Sequence, residues 1–94
     1  MKLLIAFTEL DVDVIEVPDF VIGDLKKIRN KFDRWLYDKN NKLSWDSENK
    51  VFCFRTELFV YWLNKFVLSD CEEKAIQIES QVETYDKSLP ILWF

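Results

Sequence analysis

The chain has 94 residues, the length of one domain, and a core of that size does not divide. Its composition, 49% apolar and 16% aromatic with four Trp and eight Phe, excludes a disordered chain. A net charge of −4 and a pI near 4.8 count against a general nucleic-acid binder, which needs surplus Lys and Arg to neutralise phosphates.

Leu3 to Phe7 is a compact apolar run, the pattern of a buried strand. It briefly resembles the start of a signal peptide. However, it meets Glu9, Asp11 and Asp13 at once and is too short for an apolar h-region. No stretch approaches the roughly 18 apolar residues of a membrane span. Val12 to Val17 predicts a second strand or an extended approach to Pro18-Asp19, which reads as a helix start. From there Val21, Leu25, Ile28, Phe32 and Trp35 recur at helical spacing, with Lys26, Lys27, Arg29, Asn30, Lys31 and Arg34 on the other face. Gly23 disfavours the first turn, with Asp24 as the alternative cap, and Asn40-Asn41 ends the helix.

Leu43-Ser44-Trp45 and Val51-Phe52-Cys53-Phe54 flank the turn-rich pentapeptide Asp46 to Lys50, the pattern of a hairpin with a longer loop. Thr56 is the expected N-cap of the next helix, and Glu57 suits the positive end of its dipole. Phe59, Trp62, Leu63, Phe66 and Val67 then follow the template of a core-facing helix. Beyond Ser69 two patterns compete. Ile76, Ile78, Ser80 and Val82 alternate like a strand, while Cys71, Ala75, Ile78, Val82 and Tyr85 make a helical stripe. A strand over 74–80 is the reading adopted, because the terminal strand Leu89 to Phe94 needs partners in a sheet. Pro90 confines that last strand to an edge or to its own start. The expected fold is α+β: an antiparallel or mixed sheet of four to five strands, with two main helices on one face. Phe59, Trp62, Leu63, Phe66, Ile28, Phe32 and Trp35 are its expected core.

Chemistry is sparse. The chain has no histidine, which removes the commonest general base, the Ser-His and Cys-His nucleophiles and the commonest zinc ligand. A single glycine excludes a Walker loop or a dinucleotide fingerprint. Cys53 and Cys71 make at most one bridge and no zinc site, so free thiols in a reducing, cytoplasmic setting are expected. Cys53, in an apolar strand, reads as a small hydrophobe. No enzyme, cofactor or metal is expected.

Glu9, Asp11, Asp13, Glu16, Asp19 and Asp24 form an acidic run with no base between positions 3 and 25. It is either a solvated strand edge and helix start or an anionic docking surface for a basic partner. A calcium loop is disfavoured by the missing glycine and terminal Glu. The seven bases and two acids from Lys26 to Lys42 read as a solvated helix face, the alternatives being packing against the chain's own acidic segment or contact with nucleic acid. Trp45 and Trp93 are the least constrained aromatics, and an exposed Trp is a strong interface anchor.

Phe54-Arg55-Thr56-Glu57 leads into Phe59-Val60-Tyr61-Trp62-Leu63-Asn64, and the chain ends Tyr85-Asp86-Lys87-Ser88-Leu89-Pro90-Ile91-Leu92-Trp93-Phe94. In a short acidic α+β chain these segments resemble small bacterial immunity proteins. Such proteins neutralise toxin domains of contact-dependent growth inhibition and related polymorphic toxin systems. The resemblance implies a cytoplasmic inhibitor that covers or distorts the active site of one cognate toxin, often a nuclease. It transfers no contact residue position by position. The acidic run would complement a basic nuclease and speed encounter, without direct contact to nucleic acid or membrane. The alternative is a structural or adaptor subunit of a larger complex, marked by a contiguous apolar patch. A nucleic-acid mimic would space its carboxyls regularly, and 17 acids against 13 bases are too mixed for that.

Overall fold

The apolar run at the start forms β1 (Lys2–Thr8), and β2 (Asp11–Glu16) returns antiparallel to it, with Leu3 opposite Ile15 and Leu4 opposite Val14. A computed structural model describes residues 1–38, 45–46, 48, 51–52 and 55–94. Side chains alternate across a strand. Leu3, Ile5, Ile15 and Val17 therefore enter one buried cluster, while Leu4, Ala6, Val12 and Val14 enter another on the opposite face. Both faces of the central hairpin are covered, which is why β1 shows a continuous apolar run instead of an apolar–polar alternation.

β5 (Ile76–Glu79) pairs antiparallel with β2, and β6 (Ile91–Trp93) pairs parallel with β1, giving the order β5-β2-β1-β6. The sheet is thus mixed, and the reading of 74–80 as strand holds. Pro90 stands just before β6, an edge strand, where its missing N–H takes nothing from the ladder; its carbonyl accepts from Leu4 N at 2.9 Å. A separate two-stranded ladder joins β3 (Trp45–Asp46) and β4 (Val51–Phe52), with Trp45 opposite Phe52. The expected hairpin is there. The Trp45 side chain, Cys53, Phe54 and the Asn40-Asn41 terminus lie outside the described residues.

Helices cover one face of the four-stranded sheet. The first helical stretch divides at Gly23-Asp24 into α1 (Asp19–Gly23) and α2 (Leu25–Leu36). Pro18 takes the cap position of α1 and Asp24 that of α2, and neither helix has a side-chain cap bond. α2 closes earlier than the asparagines, with Tyr37 N donating to Asp33 O at 3.1 Å. A methyl group on Gly23 would meet nothing within 4 Å, and its backbone is helical. Gly23→Ala should therefore stabilise the protein by about 0.4–1 kcal/mol through the unfolded chain, measurable as a higher urea midpoint at unchanged slope.

α3 (Thr56–Trp62) places Phe59 and Trp62 in the core and runs into a π-helical turn, Leu63–Val67, closed by Leu68 N to Leu63 O at 2.7 Å. The wider turn underwinds the helix, so side chains beyond Leu63 fall behind the α-helical stripe. Leu68 is fully buried, whereas Phe66 is 52% exposed. This corrects the expectation that Phe66 belongs to the core. Trp35, also expected there, is half-buried against Phe66, 6.0 Å between ring centroids. Asn64 anchors the turn to the approach to β5, donating to Ala75 O at 3.0 Å and accepting from Ala75 N at 2.7 Å. Lys74 Nζ donates to the Leu68 and Ser69 carbonyls left open at the end of the turn.

Among the described residues the other face of the sheet carries no helix. The irregular strap 80–90, between β5 and β6, lays Val82, Tyr85 and Leu89 over Leu4, Ala6, Val12 and Val14, with Ile91 beside them.

Candidate partner-docking surface

Asp13 is the first of the acidic residues to depart from a surface role. Its position in β2 puts it on the helix-covered face, 8% exposed. Thr56 Oγ1 donates to one carboxyl oxygen, and Gln81 N donates to the other at 2.8 Å. Three chain segments therefore meet at this carboxyl group: β2, the start of α3 and the junction of β5 with the strap. Gln81 reaches it with φ at 49°, a left-handed conformation that few non-glycine residues adopt. The same bond explains why Thr56 is not the expected cap. The helix begins at Thr56 itself, Arg55 takes the cap position, and the hydroxyl satisfies Asp13 instead.

The remaining carboxyls separate into two groups. At the C-terminal end of β2, Glu16 accepts from the α-amino group of Met1, and Asp19 lies 3.7 Å from it. The hydrogen bond from the amine to Glu16 raises the amine's pKa. Asp24 stands exposed at the break between α1 and α2. Glu9 and Asp11 lie at the opposite end of β2, on either side of the turn that joins it to β1, and Leu10 N donates to Thr8 Oγ1 at 3.2 Å within that turn. The six acids are contiguous in sequence but do not form one surface.

At the Glu9–Asp11 end, however, the fold adds carboxyls that are distant in sequence. Asp11 lines a cleft of about 540 Å³ with Arg55, Glu57 and Gln77, floored by the Asp13–Thr56 pair. Glu9 and Leu10 line a second cleft, of about 490 Å³, with Glu83, Tyr85, Lys87 and Trp93. The β1–β2 turn stands between the two. Asp11 and Glu57 thus share the first cleft with Arg55, and Glu9 and Glu83 share the second with Lys87. In the second cleft Leu10 is 90% exposed and Trp93 48% exposed. Sequence reasoning credited Glu57 only with a helix-dipole role and did not single out Glu83. No local signal places Glu57 beside Asp11 or Glu83 beside Glu9, because α3 and the strap reach these clefts only through the tertiary fold.

The strap is stiffened by its own turn. Ser88 Oγ and N donate to Asp86 Oδ1 at 2.6 and 2.9 Å, and these bonds, the hydroxyl's first, lower the Asp86 pKa. A lowered folded-state pKa contributes stability above the ordinary Asp value, and that contribution is lost as pH falls through the folded one.

Other surfaces differ in character. α2 presents Lys26, Lys27 and Lys31 to solvent. Phe20 and Phe66 are exposed along a cleft of about 250 Å³ that Lys27 and Lys31 also line. Cys71 is a free thiol. Among the described residues no three His, Cys, Asp or Glu side chains converge on a metal position, and no helix is long and apolar enough to cross a membrane.

No family model, curated protein or solved structure matches this chain.

Proposed function

We propose that the protein is a non-catalytic binding protein of the immunity type. On this reading it neutralises a basic toxin domain, of the nuclease kind, in the cytoplasm by seating the Glu9–Asp11 end of its sheet over the toxin's active site. One observation carries the reading: Glu9 and Glu83 share a cleft with the exposed Leu10 and Trp93, and Asp11 and Glu57 line the other cleft at the same end of β2. Hot spots favour Trp ringed by polar contacts that exclude water, and complementary charge accelerates encounter with a basic surface. The absence of histidine from the sequence supports binding over acid–base chemistry. Asp13 is no longer a docking residue on this reading; it holds the surface together from beneath.

The test is genetic and direct. Co-expression with the protein encoded immediately upstream should restore growth to cells which that protein poisons, and the purified pair should elute together. Failure of the neighbour to poison cells, or poisoning that the present chain leaves untouched, would remove the immunity reading.

The exposed Phe20 and Phe66 favour, as a second reading, an adaptor subunit docked through the α1–α3 side. Phe20→Ser with Phe66→Ser should then abolish assembly with the complex, where the first reading expects no effect on toxin capture.

A further inference from the structure

The cleft between the β1–β2 turn and the strap is, we infer, a slot for a single arginine side chain projecting from a protein partner. β6 shows why. Its side chains alternate, so Leu92 and Phe94 face the helices while Ile91 and Trp93 face the strap. On the helix side the slot's chemistry already exists within the molecule. The Arg29 guanidinium lies 4.0 Å from the Phe94 ring centroid, its Nε donates to Asp33 Oδ1 at 3.0 Å, and its Nη1 donates to the Trp93 carbonyl. An aromatic ring, a carboxyl group and an arginine form one stacked, charge-clamped unit.

On the strap side an aromatic ring and two carboxyls line the cleft, with no arginine beside them among the described residues. Trp93 offers a half-exposed indole face, Tyr85 and Leu10 supply apolar walls, and Glu9 and Glu83 supply two carboxyls. Indole is the strongest aromatic partner for a cation. Arginine fits better than lysine, because its planar guanidinium stacks on the ring while its edge donates to carboxyls in a fixed fork. Among the described residues Lys87 is the only base lining the cleft, so an anionic group is disfavoured and an uncharged apolar one leaves both carboxyls unused. The inference rests on the proposed function only in taking the partner to be a basic protein.

The test uses N-acetyl-arginine N-methylamide as the probe and the neutral citrulline analogue as its control, followed by amide and indole NMR shifts on the full chain. Saturable binding in about the millimolar range is expected. Shifts should be confined to the Trp93 indole N–H and to the amides of Glu9, Leu10, Glu83 and Tyr85. Glu9→Gln with Glu83→Gln should weaken binding about fivefold or more, and Trp93→Ala should abolish it, with Trp93→Phe retaining part. The melting temperature of each variant shows that the fold persists. Equal shifts from citrulline, saturation unchanged in Trp93→Ala, or shifts spread equally to Asp19 and Asp24 would each overturn the slot. A chain that binds the probe but neutralises no toxin keeps the slot and loses the immunity reading. A toxin captured equally well by Trp93→Ala does the reverse.

Discussion

Phe32→Ala should lower the free energy of unfolding by about 3–5 kcal/mol, a large part of the stability of a domain this small. Phe32 is fully buried and sits where α2, α3 and the end of β6 converge. Its ring meets Phe59 at 5.0 Å, Trp62 at 5.3 Å and Phe94 at 5.7 Å between centroids, each edge to face. Truncation removes apolar burial and also the edge-to-face preference, which adds about 0.5–1.5 kcal/mol for an aromatic pair. The hole would open between packed rings, and the cost grows with the volume that the surrounding side chains leave unfilled. Phe32→Leu, which keeps most of the volume, should be much milder. Chemical denaturation with tryptophan fluorescence measures both, since Trp62 reports the same cluster. A loss below about 1 kcal/mol for Phe32→Ala would place this ring outside the true core.

Asp13→Ala should cost about 2–3 kcal/mol, far more than a surface carboxyl, whose replacement moves stability by no more than about 0.5 kcal/mol. The substitution leaves the Thr56 hydroxyl and the Gln81 N–H without their acceptor inside the fold. Thr56→Val removes one of the two orphaned donors in advance. The double variant Asp13→Ala/Thr56→Val should thus be more stable than the sum of the single losses predicts, by about 1 kcal/mol. Glu9→Lys and Asp11→Lys, by contrast, should leave the melting temperature almost unchanged. Additive losses at positions 13 and 56 would mean that the two side chains do not depend on each other.

Much of the fold was legible where one physical requirement dominates a segment. The run Leu3 to Phe7 is strand because both of its faces are covered, and the Phe59-Trp62-Leu63 stripe is helix because only that spacing buries all three. The failures share a cause. Phe66 belongs to the same stripe by arithmetic, but the arithmetic assumes an α-helix throughout, and the π-turn breaks it three residues earlier. Asp13 sits among Val12, Val14 and Ile15, so its burial had a local signal in the strand pattern. Its partners had none: they lie 43 and 68 residues away. The candidate surface was half visible for the same reason. Glu9 and Asp11 were legible as acids without a base near them in sequence, while Glu57 joins Asp11 through the start of α3, and Glu83 and Trp93 join Glu9 through the strap and the parallel β6. Glu16 and Asp19, equally acidic in sequence, fold away toward the α-amino group.

The association rate with the neutralised protein at two ionic strengths, measured by stopped flow, tests the docking surface most directly. Wild-type chain should associate faster at low salt, because steering by exposed charges is screened within a Debye length of about 10 Å at 0.1 M. Glu9→Lys/Asp11→Lys should associate more slowly at low salt and lose most of that salt dependence, while Asp19→Lys/Asp24→Lys should behave as wild type. Rates for Glu9→Lys/Asp11→Lys that match wild type at both ionic strengths would contradict the account and take this end of the sheet out of the interface.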